Sequence, residues 1–248
     1  MRFDVVSLFP ELFAPFLTSG IIRRAFESAQ VDVQFTNPRD FANGTYRRID
    51  DRPFGGGPGM VMMAEPLAQS LAHIQSLRTE KVPVVLFSPI GRVLDHQLVQ
   101  EFSSGAGAVL LCGRYEGLDQ RFIDSHVDMQ VSLGDFVLSG GEIAAIALLD
   151  AVARLQPGVL SDPESHHQDS FNPAMDGLLD CPHYTRPENW DGVAVPDVLL
   201  SGHHVNIERW RRQQSLDLTA RYRPDLLERA RQKGLLSKQD ERYLAERR

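Results

Sequence analysis

VPVVLF, at Val82–Phe87, and AVLLC, at Ala108–Cys112, are two nearly continuous apolar runs. Such runs are typical of strands that are buried on both faces of a parallel sheet. Through the first 155 residues, these runs and other short strand-like segments alternate with stretches of helical pattern. This alternation predicts an α/β fold, with helices packed on a mainly parallel sheet.

The expected elements follow from these patterns. We expect strands at Phe3–Leu8, Val31–Thr36, Val82–Phe87, Ala108–Cys112 and Asp128–Leu133. We expect helices between them at Ile21–Ala29, Ala64–Leu77, Leu94–Phe102, Leu118–Ser125 and Glu142–Leu155.

The composition changes near residue 156. Gln156–Asp176 is poor in apolar residues and contains three prolines, which indicates a long loop. Helical patterns follow at His204–Leu216, Pro224–Lys233 and Ser237–Glu246, with no evident strand, and Ser237 with Asp240 nearly forms a capping box. We therefore expect three parts: an α/β domain at 1–160, a flexible linker at 161–175 and a small all-α domain at 176–248.

The charge of the chain is divided unevenly. The net charge of −7 argues against a general polyanion binder, but residues 203–248 hold 12 Lys and Arg against 7 Asp and Glu. This basic end indicates either a nucleic-acid-binding module or an ordinary solvated helical face.

Two cysteines in unrelated contexts are too few for a disulfide framework or a zinc cluster, and no apolar run is long enough for a membrane helix. We therefore expect a cytoplasmic chain without a signal peptide.

Three glycine-containing segments follow three of the expected strands. They are SPIGR (Ser88–Arg92), GRYEG (Gly113–Gly117) and GDFVLSGGE (Gly134–Glu142). Ligands of open α/β sheets bind beyond the carboxyl ends of the strands, and glycine lets the backbone approach them closely. Each segment alone is most simply a turn, but the three together predict one pocket.

Other nucleotide-binding and catalytic motifs fail in detail. GGGPG (Gly55–Gly59) is followed by Met60, so it is not a phosphate-binding P-loop. Val137 stands where a nucleophile elbow needs glycine. His166, His167 and Asp169 do not predict a transition-metal site, because adjacent histidines point apart on most backbones. Arg39–Gly59 mixes arginines, aromatics and glycines, which suits either RNA binding or a surface loop.

At this point several long motifs resemble one known family, the bacterial tRNA (guanine-N1)-methyltransferases of the TrmD family. The resemblance covers the chain to about Leu216, in the stretches Asp50–Met62, Ser88–Arg92, Leu110–Arg121, Ser132–Glu142, Asp150–Leu160, Asp176–Pro187 and Val198–Leu216. It implies a SPOUT-type α/β fold, a mainly parallel sheet with a deep trefoil knot. In this family the three glycine segments form the knot, which binds S-adenosylmethionine.

The resemblance also implies roles for individual residues. The donor site would be formed by Phe87, Ser88, Pro89, Gly113, Tyr115, Glu116, Ser132, Leu133, Gly134, Asp135, Phe136, Val137, Leu138, Gly140 and Gly141. Asp169 would be the general base, and Arg154 would stabilise negative charge that develops on the guanine. Asp50, Arg52, Gly57 and Gly59 would bind the substrate guanosine. Methyl transfer from a sulfonium demands no metal, although the family is associated with Mg²⁺.

The implied partners are tRNA and a second copy of the chain. In the family the methyl acceptor is N1 of the guanosine 3′ of the anticodon, at position 37. The helical domain contacts the anticodon arm, and the active site lies at a homodimer interface. Two alternatives remain: a SPOUT methyltransferase for another tRNA or rRNA position, and an RNA-binding protein without catalytic activity.

Overall fold

The computed structural model describes residues 1–161 and 166–247. The chain divides into two compact units, Met1–Leu160 and Ser161–Arg248, which are called unit 1 and unit 2 below. Residues 162–165, which belong to the predicted linker, lie outside the described residues. Within the described ranges, no helix is long and apolar enough to cross a membrane.

Unit 1 is a mixed α/β structure. Its strands are β1 (Arg2–Val6), β2 (Asp32–Thr36), β3 (Asp50–Asp51), β4 (Val61–Met62), β5 (Val84–Val93), β6 (Gly107–Leu111) and β7 (Met129–Ser132). Its α-helices are α1 (Ala14–Thr18), α2 (Arg23–Glu27), α3 (Ala64–Ser76), α4 (His96–Ser103), α5 (Gln120–His126) and α6 (Glu142–Ala153). The five predicted strands and five predicted helices of this part are therefore confirmed, with ends that shift by a few residues.

A five-stranded parallel sheet in the order β2-β1-β6-β5-β7 forms the centre of unit 1. Successive residues of β5 point to opposite faces, as the period of a strand requires. Val85 and Phe87 pack in the core that contains residues of α4 and α6, whereas Val84 and Leu86 pack in the core that contains residues of α3 and α5. Both faces are therefore covered, which explains why the first half of β5 (Val84–Phe87) and the whole of β6 are apolar or glycine and buried.

The segment Ser88–Arg92 is part of β5 and not a loop after it, which corrects the sequence prediction. Pairing with β7 shifts its register between Phe87 and Arg92, so the strand bulges there. At Gly91 an added Cβ would lie 2.4 Å from the backbone nitrogen of Val131. Only a residue without a side chain permits this close approach, and the bulge explains why a Pro-Gly segment continues as a strand.

Unit 2 is mainly helical. Its elements are β8 (Asn189–Trp190), β9 (Val193–Ala194), α7 (Asp197–Leu200), α8 (His204–Tyr222), α9 (Pro224–Gln232) and α10 (Lys238–Glu246). Ser237 and Asp240 form a capping box at the start of α10, as the sequence predicted. The antiparallel hairpin of β8 and β9 was not predicted, because strands of two residues leave no hydrophobic period to detect.

Residues 166–178 form hydrogen-bonded turns within unit 2. The backbone nitrogen of Phe171 donates to Leu178 O over 2.9 Å, and the buried Asn172 side chain donates to His166 O over 2.8 Å. The rings of His166 and His167 lie 4.1 Å apart between their centroids. The expectation that these adjacent histidines point apart was therefore wrong, because the turn brings both rings to one side.

Candidate functional site

A cavity of about 400 Å³ lies beside the middle of β5, at the register shift, and beyond the carboxyl ends of β6 and β7. Three chain segments form its wall, and each belongs to one of the motifs that contain glycine. The lining residues are Leu86–Ile90, Gly113–Leu118, Gln120, Ile123, Gln130–Gly134, Phe136–Gly141 and Ala144. A volume of this size falls within the range of sites that bind small molecules and cofactors.

Fourteen of the fifteen residues predicted for the donor site line this cavity, so the structure brings the three motifs together. Asp135 is the exception and is not among the lining residues. The cavity is also lined by residues that the sequence analysis did not single out, among them Ile90, Arg114, Gln120 and Ser139. Arg114 and Ser139 stand within quoted motifs, but the motifs alone gave no role for their polar groups.

Glycines allow two of the segments to meet backbone to backbone. Gly141 N donates a hydrogen bond to Gly113 O over 3.0 Å, and Arg114 pairs with Gly140 as an isolated β-bridge. An added Cβ at Gly141 would lie 2.7 Å from Cys112 Cα, and one at Gly140 would lie 2.3 Å from Arg114 Nε. The wall of the cavity therefore depends on two positions that no larger residue fills without displacing its neighbours.

A buried ion pair lies behind this glycine contact. Glu142, at the start of α6, is 1% exposed, and its Oε1 accepts hydrogen bonds from Ser7 Oγ over 2.8 Å and from Arg114 Nε over 3.2 Å. Its Oε2 lies 3.0 Å from Arg114 Nη2, although among the described residues no hydrogen bond of normal geometry reaches that oxygen. A buried carboxylate is tolerated only with such partners, so Glu142 and Arg114 depend on each other.

Arg114 connects three segments around the cavity. Besides Glu142, its Nη1 donates to Ser139 O over 3.2 Å, and its guanidinium lies 4.5 Å from the centroid of the Phe9 ring.

Burial raises the pKa of the neighbouring Cys112 thiol well above its usual value, and the negative charge of Glu142 raises it further. Cys112 is therefore an uncharged part of the core and not a nucleophile.

Arg154 ends α6 at the opposite end of the helix from Glu142. Its backbone nitrogen donates to Asp150 O over 3.1 Å. Burial raises the pKa of the Asp150 carboxyl, and the positive charge of Arg154 opposes that rise. The Asp150 carboxyl and the Arg154 guanidinium are thus electrostatically coupled within about one helical turn.

Asp169, the predicted base, lies in unit 2 and is half-buried. Its backbone nitrogen contacts His166 O at 3.4 Å, and its carbonyl accepts from Asn172 N over 3.2 Å. These bonds hold the Asp169 backbone in the turns of residues 166–178. Asp169 is not among the residues that line the cavity of unit 1.

Of the four predicted substrate residues, Gly59 packs against a residue of the cavity wall. Asp50 is in β3, while Arg52, Gly57 and Gly59 are in the exposed connection between β3 and β4. An added Cβ at Gly59 would lie 2.4 Å from Glu116 Oε1, and Glu116 N donates to Met60 O over 3.0 Å. The connection therefore packs directly on Glu116, which lines the cavity.

The cavity offers a combination of apolar surface, backbone groups and one acidic side chain. Among its lining residues Glu116 is the single carboxylate, and the rest of the wall is largely aliphatic, aromatic or glycine. Such a wall suits a planar, weakly polar group held by backbone hydrogen bonds, with a cationic group placed near Glu116.

Comparison with known proteins agrees with this geometry. The tRNA (Guanine-1)-methyltransferase TrmD family matches residues 1–229. A tRNA (guanine-N(1)-)-methyltransferase of Albidiferax ferrireducens is 74% identical over 99% of both chains. Proteins of the same name are 68% identical in Paracidovorax citrulli, over 99% of this chain and 98% of theirs, and 57% identical in Bordetella pertussis, over 99% and 97%. The chain therefore belongs to the tRNA (guanine-1)-methyltransferase family.

Proposed function

We propose that this chain methylates N1 of the guanosine 3′ of the anticodon, at position 37 of tRNA, with S-adenosylmethionine as the methyl donor. The observation that carries the proposal is the meeting of three glycine-containing segments around one cavity next to the Gly59 connection. Family membership over residues 1–229 supplies the reaction class. The fold alone would not supply it, because folds host many functions.

The residues of the cavity fit the donor. Backbone groups of Leu133, Gly134, Phe136–Leu138 and Gly140–Gly141 would bind the adenine, with the side chains of Phe87 and Leu138 against its faces. The carboxylate of Glu116 would face the positively charged end of the molecule. Bound there, S-adenosylmethionine supplies a methyl group on a sulfonium that is already a good leaving group.

The acceptor requires a base as well as a positive charge. Guanine N1 carries a proton, so it becomes a nucleophile only when that proton leaves. We assign the proton to the Asp169 carboxylate and the stabilisation of charge on the guanine O6 to Arg154. Asp50, Arg52, Gly57 and Gly59 would hold the guanine, which is flipped out of the RNA stack.

We further propose that the site is completed in a homodimer, where the Asp169 of one protomer reaches the cavity of its partner. The family resemblance implies this arrangement and also a trefoil knot formed by the three cavity segments. The backbone hydrogen bond from Gly141 N to Gly113 O shows that two of these segments are in direct contact.

Unit 2 would bind the anticodon arm. Residues 203–248 hold 12 Lys and Arg against 7 Asp and Glu, so they attract phosphate although the whole chain is acidic. The turns that contain Asp169 would order further on tRNA binding. The two free, buried cysteines fit a reducing compartment such as the cytoplasm.

A Mg²⁺ ion has one matching ligand in the cavity, the carboxylate of Glu116. Mg²⁺ commonly binds one or two carboxylates and completes its shell with water and substrate oxygens. Glu116 would hold either Mg²⁺ or the positively charged end of the donor, since two cations on one carboxylate repel each other, and the proposed proton transfer to Asp169 does not depend on the ion.

The test is methyl transfer to matched RNAs. The protein is incubated with radiolabelled S-adenosylmethionine and unmodified tRNA transcripts that carry G or A 3′ of the anticodon, and the product is mapped by nuclease digestion and mass spectrometry. We expect methyl on N1 of that guanosine and none on the A transcript.

Each alternative has its own outcome in the same experiment. A methyl group at another RNA position would contradict our proposal and indicate a SPOUT methyltransferase that acts on that position. RNA binding without methyl transfer, measured by filter retention of the same transcripts, would indicate a binding protein without catalytic activity.

A further inference from the structure

Asp180, Cys181 and His183 form a cluster in unit 2, in the segment that precedes the β8–β9 hairpin. One potential ligand atom from each residue lies within 4.8 Å of the others. In the described part of the chain, this is the one such group of three His, Cys, Asp or Glu side chains. It offers one oxygen, one sulfur and one nitrogen, a mixed set that Zn²⁺ accepts.

The Asp180 carboxylate is the centre of the cluster. Its Oδ2 lies 2.9 Å from His183 Nε2, and its Oδ1 accepts a hydrogen bond from Cys181 N over 2.6 Å. The Cys181 thiol lies within 4.8 Å of the same carboxylate and of the His183 ring nitrogen. Two groups that metal ions bind, a thiol and an imidazole, therefore meet at one carboxylate, and a divalent cation can replace the thiol proton.

The backbone around the cluster is held by hydrogen bonds to helix α8 and to the turns of residues 166–178. Asp180 N donates to Ser170 Oγ over 2.9 Å, and Leu179 N donates to Thr219 Oγ1 over 3.0 Å. Cys181 is 7% exposed, so the thiol is held in place, whereas the His183 side chain is 75% exposed and free to adjust. Two ligands are thus held by structure and the third can rotate to close the shell.

We propose that Asp180, Cys181 and His183 bind a divalent transition-metal cation of the Zn²⁺ type, with water in the fourth position. This departs from the expectation that two cysteines are too few for a zinc site, because the thiol is joined here by an imidazole and a carboxylate. The positive charge of Arg211 acts on Cys181 and opposes a cation. We therefore expect weaker binding than at a four-ligand structural site.

Cobalt titration of the full-length protein tests the proposal directly. Co²⁺ is added under anaerobic conditions with a non-thiol reductant, and absorbance is recorded. Thiolate ligation gives an intense near-ultraviolet charge-transfer band, and four-coordinate Co²⁺ gives strong visible bands. We expect both bands to saturate at one Co²⁺ per chain and to disappear when Zn²⁺ is added.

Variants identify the ligands. Cys181→Ser should remove the charge-transfer band, and His183→Ala should weaken Co²⁺ binding about tenfold or more. His183 is exposed, so its removal does not threaten the fold, whereas tryptophan fluorescence checks that the Cys181 variant is folded. His126→Ala, which removes a histidine stacked on Phe122 in unit 1, is the matched control and should bind Co²⁺ like the wild type.

Two results would overturn the proposal: a wild-type titration without the charge-transfer band, or one whose band persists in Cys181→Ser. Co²⁺ binding that both variants leave unchanged would place the metal elsewhere, for example at His166 and His167. The measurement uses no methyl donor and no tRNA, so its outcome is independent of the proposed methyl transfer.

Discussion

Unit 1 and unit 2 are stabilised by different interactions. Unit 1 has two large apolar cores on the faces of its sheet, and its main buried charges are paired, as in Glu142 with Arg114. The core cluster of unit 2 is small, with Leu178, Leu216, Leu227, Ala230 and Leu244 as its buried members among the described residues. Around it lie ion pairs that join separate segments, such as Arg212 with Asp176 and Asp240.

This difference suggests how the work is divided. A densely packed unit keeps a small-molecule cavity in one shape, which favours a donor site. A unit with a small core, ion pairs between its segments and a basic helical end is better suited to a large polyanion. Substitutions in unit 1 should therefore act on fold and donor binding, while substitutions in unit 2 should act on the acceptor step, acid stability or both.

The largest effect is expected for Asp169→Asn. The amide cannot take the N1 proton, so turnover should fall by about 10²–10⁴-fold, the usual contribution of a general base. Single-turnover methyl transfer with saturating tRNA measures this. A turnover within threefold of the wild type would remove Asp169 from the role of base.

Arg114→Met should produce the next largest effect, on stability. It leaves the buried Glu142 carboxylate without its cation, and breaking such a pair costs about 3–5 kcal/mol of unfolding free energy. Denaturant unfolding followed by far-ultraviolet circular dichroism measures the loss, since both tryptophans lie in unit 2.

Arg121→Met is the matched control for that experiment. Arg121 pairs with Asp119 but its side chain is 81% exposed, so its loss should cost about 0–1 kcal/mol. The double variant Arg114→Met with Glu142→Gln should lose less than the two single changes added together. Equal stability of the Arg114 and Arg121 variants would show that the buried pair has no special importance.

Gly141→Ala tests the close contact between two cavity segments of unit 1. The new methyl would lie 2.7 Å from Cys112 Cα, so the two cavity segments must separate, at a cost of about 1–3 kcal/mol. Gly105→Ala is the control, since its Cβ would meet nothing closer than 3.5 Å. Thermal unfolding of both variants measures the difference, and equal melting temperatures would contradict the close contact.

The smallest effect is expected for Arg212→Met, in acid. Burial raises the pKa of Asp240, but hydrogen bonds from Arg212 and Ser237 outweigh it, so the folded pKa lies below 3.8. This stabilisation is therefore present above pH 4 and is lost as the pH falls through the folded pKa. The variant should unfold at a higher pH than the wild type.

Tryptophan fluorescence follows this transition in unit 2, where Trp190 and Trp210 lie. Arg242→Met removes the exposed pair with Glu246 and should leave the acid midpoint unchanged. An unchanged midpoint in the Arg212 variant as well would show that the Asp176 and Asp240 contacts do not stabilise unit 2.

The sequence predicted the sheet well because its signals are local. The apolar runs Val82–Phe87 and Ala108–Cys112 lie within or overlap β5 and β6, and Glu142 begins α6 where the glycines end. The continuation of β5 through Ser88–Arg92 was missed, because a bulge depends on the partner strand and not on the residues themselves.

The site was predictable in its backbone and not in its side-chain partners. Glycine-rich motifs near strands indicate a cavity. Two backbone segments can approach each other, or a ligand, closely only where glycine is present, and this holds whichever segment forms the contact. Ser7 and Glu142 are 135 positions apart, and no local pattern shows that they share a hydrogen bond. Asp180, Cys181 and His183, by contrast, stand within four positions of one another, so their spacing was visible in the sequence, and it was missed because the cysteines were considered only as partners for other cysteines.

In the proposed mechanism, unit 1 binds the methyl donor and unit 2 contributes the base. Calorimetric titration of S-adenosylmethionine into the wild type, Gly141→Ala and Asp169→Asn tests it most directly. We predict that Asp169→Asn binds the donor with wild-type affinity, while Gly141→Ala binds it at least tenfold more weakly. Loss of donor binding in Asp169→Asn, with normal binding in Gly141→Ala, would contradict the account.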